Sequence, residues 1–170
     1  MKDSIITKQA IASSFKELMK IKSFDKISIS DITKNCYLNR QTFYYHFQDK
    51  YELMNWIYYN EIFLPLVDNL TENTYQNKFE QMFIKMKDNI YVYQNALSTN
   101  NEYGFKDYLI SILEELIIIL LDNKKTLDTK FCTYGLSSVI IDWVRRGMNE
   151  TPQDLAKWMS EMLISFKRMS

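Results

Sequence analysis

The sequence predicts an all-helical protein, and three observations carry that prediction. Glycine accounts for 3 of 170 residues, against an average usage of about 7%, whereas sandwiches, barrels and nucleotide-binding α/β folds need glycine in turns and phosphate loops. Apolar residues recur at helical rather than strand spacing along most of the chain. Helix-start signals stand at intervals: Ser28 with Asp31, Asn39, Asp49, and Thr151 with Pro152. With 46% hydrophobic residues, the chain can bury a substantial core.

The first helix is expected from about Thr7 to Lys20, with Ile6, Ala10, Ile11, Phe15, Leu18 and Met19 on one face. Ser28-Ile29-Ser30-Asp31 reads as a capping box that opens a second short helix ending near Asn35. Cys36, Tyr37 and Leu38 form a turn, and Asn39 caps a third helix from Arg40 to Tyr45. Its Phe43 and Phe47 are placed to pack inward, while Arg40, Gln41, Tyr44 and His46 point elsewhere. Two short helices and a three-residue turn make a helix-turn-helix. A fourth helix is expected from Lys50, bent or ended by Pro65. Further helices are expected at 75–88, 91–98, 105–121, 129–146 and 152–168, with polar connectors near 69–74, 98–103 and 122–128. The domain boundary is expected after residue 48, giving a head of residues 1–48 and a body of residues 49–170.

Composition excludes several functions. The single His, His46, rules out sites built on two imidazoles, such as HExxH zinc centres. Cys36 and Cys132 show no CxxC spacing, so no zinc module, other metal or disulfide framework is expected, and no cofactor. A hydrolase would need His46 beside a nucleophile, and no GxSxG elbow is present, so an enzyme is not expected. The first seven residues lack the apolar core of a signal peptide. The longest apolar run, Leu116 to Leu121, falls short of the roughly 18 to 20 residues of a membrane span. A cytoplasmic protein with no membrane partner is the expectation.

Lys plus Arg and Asp plus Glu balance at 21 each, yet Met1 to Lys50 carries nine basic against five acidic residues, a net of +4 that leaves −4 on the rest. A basic head on an acidic body is suited to meeting a phosphate backbone. Arg40 and Gln41, at the start of the third helix, are suited to base edges, because Arg pairs with two acceptors on guanine and Gln with adenine. Lys50 and Ser28, at helix starts, are placed to hold phosphate. Tyr45 reads either as a groove contact or as a ring on the helix surface.

The stretch SISDITKNCYLNRQTFYYHFQDKYEL resembles the DNA-binding head of the TetR family of bacterial transcriptional regulators. It supplies Thr42, Phe43, Tyr44, His46, Phe47, Lys50 and Leu53 at the positions of that family's motif. The resemblance implies a double-stranded DNA operator as partner, with phosphate or groove-edge roles for Thr42, Tyr44, His46 and Lys50. Cys36-Tyr37 departs from the Ala-Gly usual in the turn and puts a Tyr in a left-handed position at a cost of about 1 kcal/mol. Asn39 stands where Ser or Thr is common and caps equally well.

The last two long helices carry broad apolar faces that include Val139, Ile140 and Trp143, and Leu155, Trp158, Met162 and Phe166. The resemblance implies that these residues pair with a second copy in a homodimer, which would present two heads to a palindromic operator. The middle helices are rich in Trp56, Tyr59, Met82, Met86, Tyr91, Tyr93, Phe105, Tyr108, Phe131 and Tyr134, which serve either as plain core or as a ligand box. Tyr103-Gly104-Phe105 and Tyr134-Gly135-Leu136 through Trp143-Val144-Arg145-Arg146-Gly147-Met148 resemble the branch that activates dihydroxyacetone kinase operons. That branch implies a kinase-like coactivator protein as the signal, whereas the family default is a repressor controlled by a small-molecule effector.

Overall fold

The computed structural model describes residues 2–98, 104–120 and 126–169. The expected connector segments at 99–103 and 122–125, with Tyr103 and Leu121, lie outside the described residues.

Helix α1 spans Lys2–Met19, starting several residues earlier than its apolar periodicity predicts. Ile11, Ala12, Phe15, Leu18 and Met19 are buried, but Ile6 is 60% exposed and Ala10 is also exposed, so the core stripe begins only at Ile11. A short 3-10 turn, Phe24–Lys26, leads to α2 (Ile29–Asn35) and α3 (Arg40–His46).

The caps are those read from sequence. Ser28 Oγ accepts from the Asp31 N–H at 3.1 Å, and Asp31 Oδ2 accepts from the Ser28 N–H at 3.0 Å. Asn39 Oδ1 accepts from the Thr42 N–H at 2.7 Å. Tyr37 has φ of 56°, and the turn closes as a Schellman motif: Leu38 N–H donates to Thr33 O at 2.8 Å and Tyr37 N–H to Lys34 O at 3.2 Å. The strained residue is thus the one that reorients the chain into α3. Phe43 and Phe47 are buried and tie α3 to the head core.

Pro65 does not end the fourth helix. The rod continues from α4 (Lys50–Tyr58) through a π turn (Tyr59–Phe63) into α5 (Leu64–Val67). A proline has no N–H to donate and crowds the carbonyl four residues earlier, and the wider turn accommodates both defects. Asn60 Nδ2 bonds Trp56 O at 2.8 Å, and Lys78 Nζ bonds Pro65 O at 3.0 Å, so side chains satisfy carbonyls at this break.

The body then adds α6 (Tyr75–Asp88), α7 (Ile90–Leu97), α8 (Phe105–Leu120), α9 (Leu127–Arg145) and α10 (Pro152–Met169). Counting the bent α4–α5 rod as one, these are nine helices among the described residues. α10 packs along α6 and α9 along α8, with α7 between the head and α9. Thr126 rather than a later residue caps α9, which therefore starts two residues before its expected position. Tyr58, wholly buried, lies against Tyr93, Phe105 and Tyr108 at ring centroid distances of 6.0, 5.2 and 5.1 Å. Those rings are core. Tyr59, Tyr91, Phe131 and Tyr134, grouped with them by composition, are exposed instead.

Candidate nucleic-acid interface and partner groove

α3 is amphipathic across a single turn. With Phe43 and Phe47 turned inward, Arg40, Gln41, Tyr44 and Tyr45 form its outer face, Tyr45 being 83% exposed. Arg40 Nη2 lies 3.4 Å from the Tyr44 hydroxyl, and Tyr44 meets Phe43 edge-on at 5.7 Å. The head core therefore steadies one side of Tyr44 while the other faces out beside an arginine. Such a row offers a bidentate donor, an amide and two phenols, the groups needed to read base edges and groove walls. Tyr37, 97% exposed in the turn before α3, adds a third ring at the same end. Sequence reading treated Tyr37 only as a strained turn residue; the signal available was that a Tyr occupies a position where glycine would be easier.

The remaining predicted contacts divide. Thr42 Oγ1 is 3.0 Å from Asn39 Oδ1, so both side chains take part in the cap, although Asn39 Nδ2 has no bond within the described chain. The Ser28 hydroxyl donates to Asp31 Oδ2 at 2.8 Å, and the Ser28 N–H first, with this hydroxyl second, holds the Asp31 carboxyl down at about 2. A committed hydroxyl beside a permanent carboxylate is a poor phosphate anchor, so Ser28 serves as a cap. Lys22 Nζ, 3.3 Å from Asp31 Oδ1, balances that charge.

Lys50, expected to hold phosphate, is engaged within the chain. Its Nζ donates to Phe24 O at 2.8 Å, Ile27 O at 3.1 Å and Asp25 O at 3.3 Å, and sits 4.5 Å from the centre of the Phe24 ring. All three of its donors are spent on the α1–α2 connector rather than offered to phosphate. Burial lowers its pKa from the ordinary lysine value, with Asp25 acting in the opposite sense.

His46 is partly buried, its ring 5.0 Å from Tyr45. Burial first, and the Lys8 charge second, lower its pKa from 6.5. The folded chain therefore favours neutral imidazole, and the unfolded chain takes up the proton first as pH falls. That contribution to stability is full above 6.5 and is lost on acidification through the folded value. Urea titrations at about pH 7.5 and about pH 5.5 should show the wild type losing more stability than His46→Gln over this interval; equal losses would count against this role.

In the body an apolar groove of about 160 Å³ runs between α9 and α10, lined by Phe131, Gly135, Val139, Trp158, Met162 and Phe166 among others. Phe131 is 77% exposed and Met162 46%. Ile140, Trp143 and Leu155, expected in the same interface, are instead buried inside the chain. Trp143 packs edge-on against Phe83 at 5.3 Å and its Nε1 donates to Glu150 O at 3.2 Å. A helical face broad enough for two partners is divided between α8 and the core on one side and the groove on the other.

Among the described residues no helix is long and apolar enough to cross a membrane, and no three His, Cys, Asp or Glu side chains are placed to hold a metal ion. Both cysteines are free, and burial pushes the Cys132 thiol up to about 11.

A helix-turn-helix head on a helical body is the architecture of a DNA-binding transcriptional regulator. Residues 15–56 match the model of bacterial regulatory proteins of the tetR family, and residues 73–165 match a transcriptional regulator C-terminal region. Over 130 residues the chain is 34% identical to the HTH-type dhaKLM operon transcriptional activator DhaS of Lactococcus lactis subsp. lactis (strain IL1403), covering 75% of this chain and 68% of that protein. The chain belongs to the TetR family of transcriptional regulators. A solved structure of a dihydroxyacetone kinase operon activator DhaS superposes with a TM-score of 0.76 at 22% identity, over 97% of this chain and 98% of that one. NalD, the secondary repressor of the MexAB-OprM multidrug efflux pump in Pseudomonas aeruginosa, has a TM-score of 0.54 at 17% identity, over 96% and 97% of the two chains.

Proposed function

We propose that the chain acts as a homodimer on a palindromic operator and activates a dihydroxyacetone kinase operon. The observation that carries the operon assignment is the 34% identity to an activator of that kind. The head, residues 1–48, reads DNA through Arg40 and Gln41, with Tyr44 and Tyr45 beside them and Asn39, Thr42 and His46 at the margins. The body, residues 49–170, dimerises and receives the signal. Gly135 supports the dimer: it is exposed on α9, and a Cβ there would meet nothing within 4 Å in this chain. Glycine within a helix costs up to about 1 kcal/mol, and a partner helix approaching closely accounts for it.

A kinase-like coactivator protein is the proposed signal, because the interior rings around Tyr58 fill against one another and serve as core. A small polar effector is the second reading, favoured by a groove of about 290 Å³ beside the π turn, where Asn60, Glu61, Lys78 and Gln81 meet Pro65 and Met82. The test is a mobility-shift and in vitro transcription series on the promoter of the source organism's dihydroxyacetone kinase genes. Specific binding with increased transcript supports the assignment; binding no tighter than to random duplex would falsify it. Coactivator and dihydroxyacetone added separately and together distinguish the two signals.

Replacing Arg40 with Ala should relax discrimination at one base position by about 1–3 kcal/mol while leaving the others intact, measured by operator selection from a random duplex pool. An unchanged base profile would remove Arg40 from direct readout.

A further inference from the structure

The α1–α2 connector is held from two sides, by Lys50 at the start of α4 and by α7. Asn95, on α7, accepts the Phe24 N–H on Oδ1 at 2.7 Å, and its Nδ2 donates to Met19 O at 3.0 Å and Lys22 O at 2.6 Å. Met19 is the last residue of α1, where carbonyls lack helical partners, and Phe24 is the first residue of the 3-10 turn, where an N–H lacks one. One amide thus caps the end of one helix and the start of the next, both from more than 70 residues away in sequence.

The connection continues in each direction. Toward the DNA, Lys22 Nζ pairs with Asp31 of the capping box that starts α2. Away from it, the neighbouring Gln94 Nε2 donates to Val144 O, in the last turn of α9, at 3.2 Å. Adjacent residues on α7 therefore tie the groove-lining helix α9 to the connector from which the helix-turn-helix departs.

We propose that Asn95 is a positioning residue that sets the separation of the two recognition helices and hence the half-site spacing the protein accepts. Asn95 lies on α7, behind the head rather than on the outer face of α3, and acts only through the connector. In a dimer built on α9 and α10, two α3 helices must meet successive major grooves about 34 Å apart. A head held by three bonds to α7 keeps one separation; a head left with its ties to the α4 rod, through Lys50, the Lys16–Glu61 pair and the Phe47–Trp56 contact, has more freedom to pivot. The inference rests on the dimeric reading above.

The experiment uses the full-length protein and the operator it selects from a random duplex pool, with one base pair inserted into or deleted from the centre. The wild type should lose affinity by about tenfold or more with altered spacing, and Asn95→Ala by less than about threefold. Asn95→Asp, which keeps the acceptor for Phe24 and loses both donors, should fall between them, and it carries the same comparison if Asn95→Ala does not fold. Simple destabilisation lowers affinity for every spacing alike and leaves the ratio unchanged. The salt dependence of binding should be the same in all three proteins, because Asn95 neutralises no phosphate. A wild-type ratio retained in both variants, or a reduced salt slope, would overturn the proposal. Selection of an operator with no inverted repeat by the wild type would instead overturn the dimeric reading, and this one with it.

Discussion

Lys50→Met should unfold far more easily than the wild type yet bind DNA, where folded, with an unchanged salt slope. Methionine keeps the aliphatic stem and deletes three donors, leaving the carbonyls of Phe24, Asp25 and Ile27 without their ammonium partner. Each partly buried acceptor left unpaired costs about 1–3 kcal/mol, discounted here because the Asp25 bond is exposed, so a total of roughly 2–4 kcal/mol is expected. In a chain of 170 residues that lowers Tm by roughly 5–15 °C. The loss should be seen in urea and thermal melts, and DNA affinity should fall only in proportion to the unfolded or displaced fraction. A lysine that holds phosphate gives the reverse pattern: near-wild-type melting and a salt slope reduced by about one. Observing that reverse pattern would restore the role its helix-start position first indicated.

Gly135→Leu should leave a folded monomer and remove operator binding. Within the chain a Cβ at position 135 meets nothing within 4 Å, the rest of the side chain enters the groove, and helix propensity improves, so the monomer should be as stable as before or more so by up to about 1 kcal/mol. Across a dimer face the same atoms collide with the partner helix, and overpacking of this kind costs about 1–3 kcal/mol for each copy. Because a two-fold repeats the clash, the dimer dissociation constant should rise by roughly a hundredfold or more. Sedimentation velocity reads the dissociation, and operator affinity should fall with it, because a single head contacts one half-site. Trp143→Ala makes the contrast: that ring is buried against Phe83, and its loss should cost about 3–5 kcal/mol of folding stability rather than act on the dimer alone. A Gly135→Leu protein that remains dimeric at micromolar concentration would place the interface elsewhere.

The head was legible residue by residue because its determinants are local. Ser28 and Asp31, Asn39 and Thr42, and Asp49 with the N–H groups of Tyr51 and Glu52 are all partners two or three residues apart. The left-handed Tyr37 followed from the family resemblance, because Tyr stands where the family's turn usually has glycine. Whether Pro65 bends or ends its helix was left open by the sequence, because a proline's effect depends on whether its neighbours can absorb the lost bond, and here a π turn, Asn60 and Lys78 do. Ile6 and Ala10 were misjudged because periodicity defines a face without saying how far along it another helix extends.

By itself the sequence determined the helical class, the caps, the helix-turn-helix and the outward placement of Arg40, Gln41 and Tyr44, since each follows from bonds or side-chain directions within a turn or two of helix; His46, placed outward with them, is partly buried. Only the tertiary structure decided where long flexible side chains and broad apolar faces spend themselves. Lys50 turned to three carbonyls more than 20 residues away, Trp143 and Ile140 turned to the core, and Asn95 bridged α7 to the connector. A lysine, a tryptophan or an asparagine can satisfy its chemistry with any complementary group in reach, and which groups come within reach is set by how the helices pack.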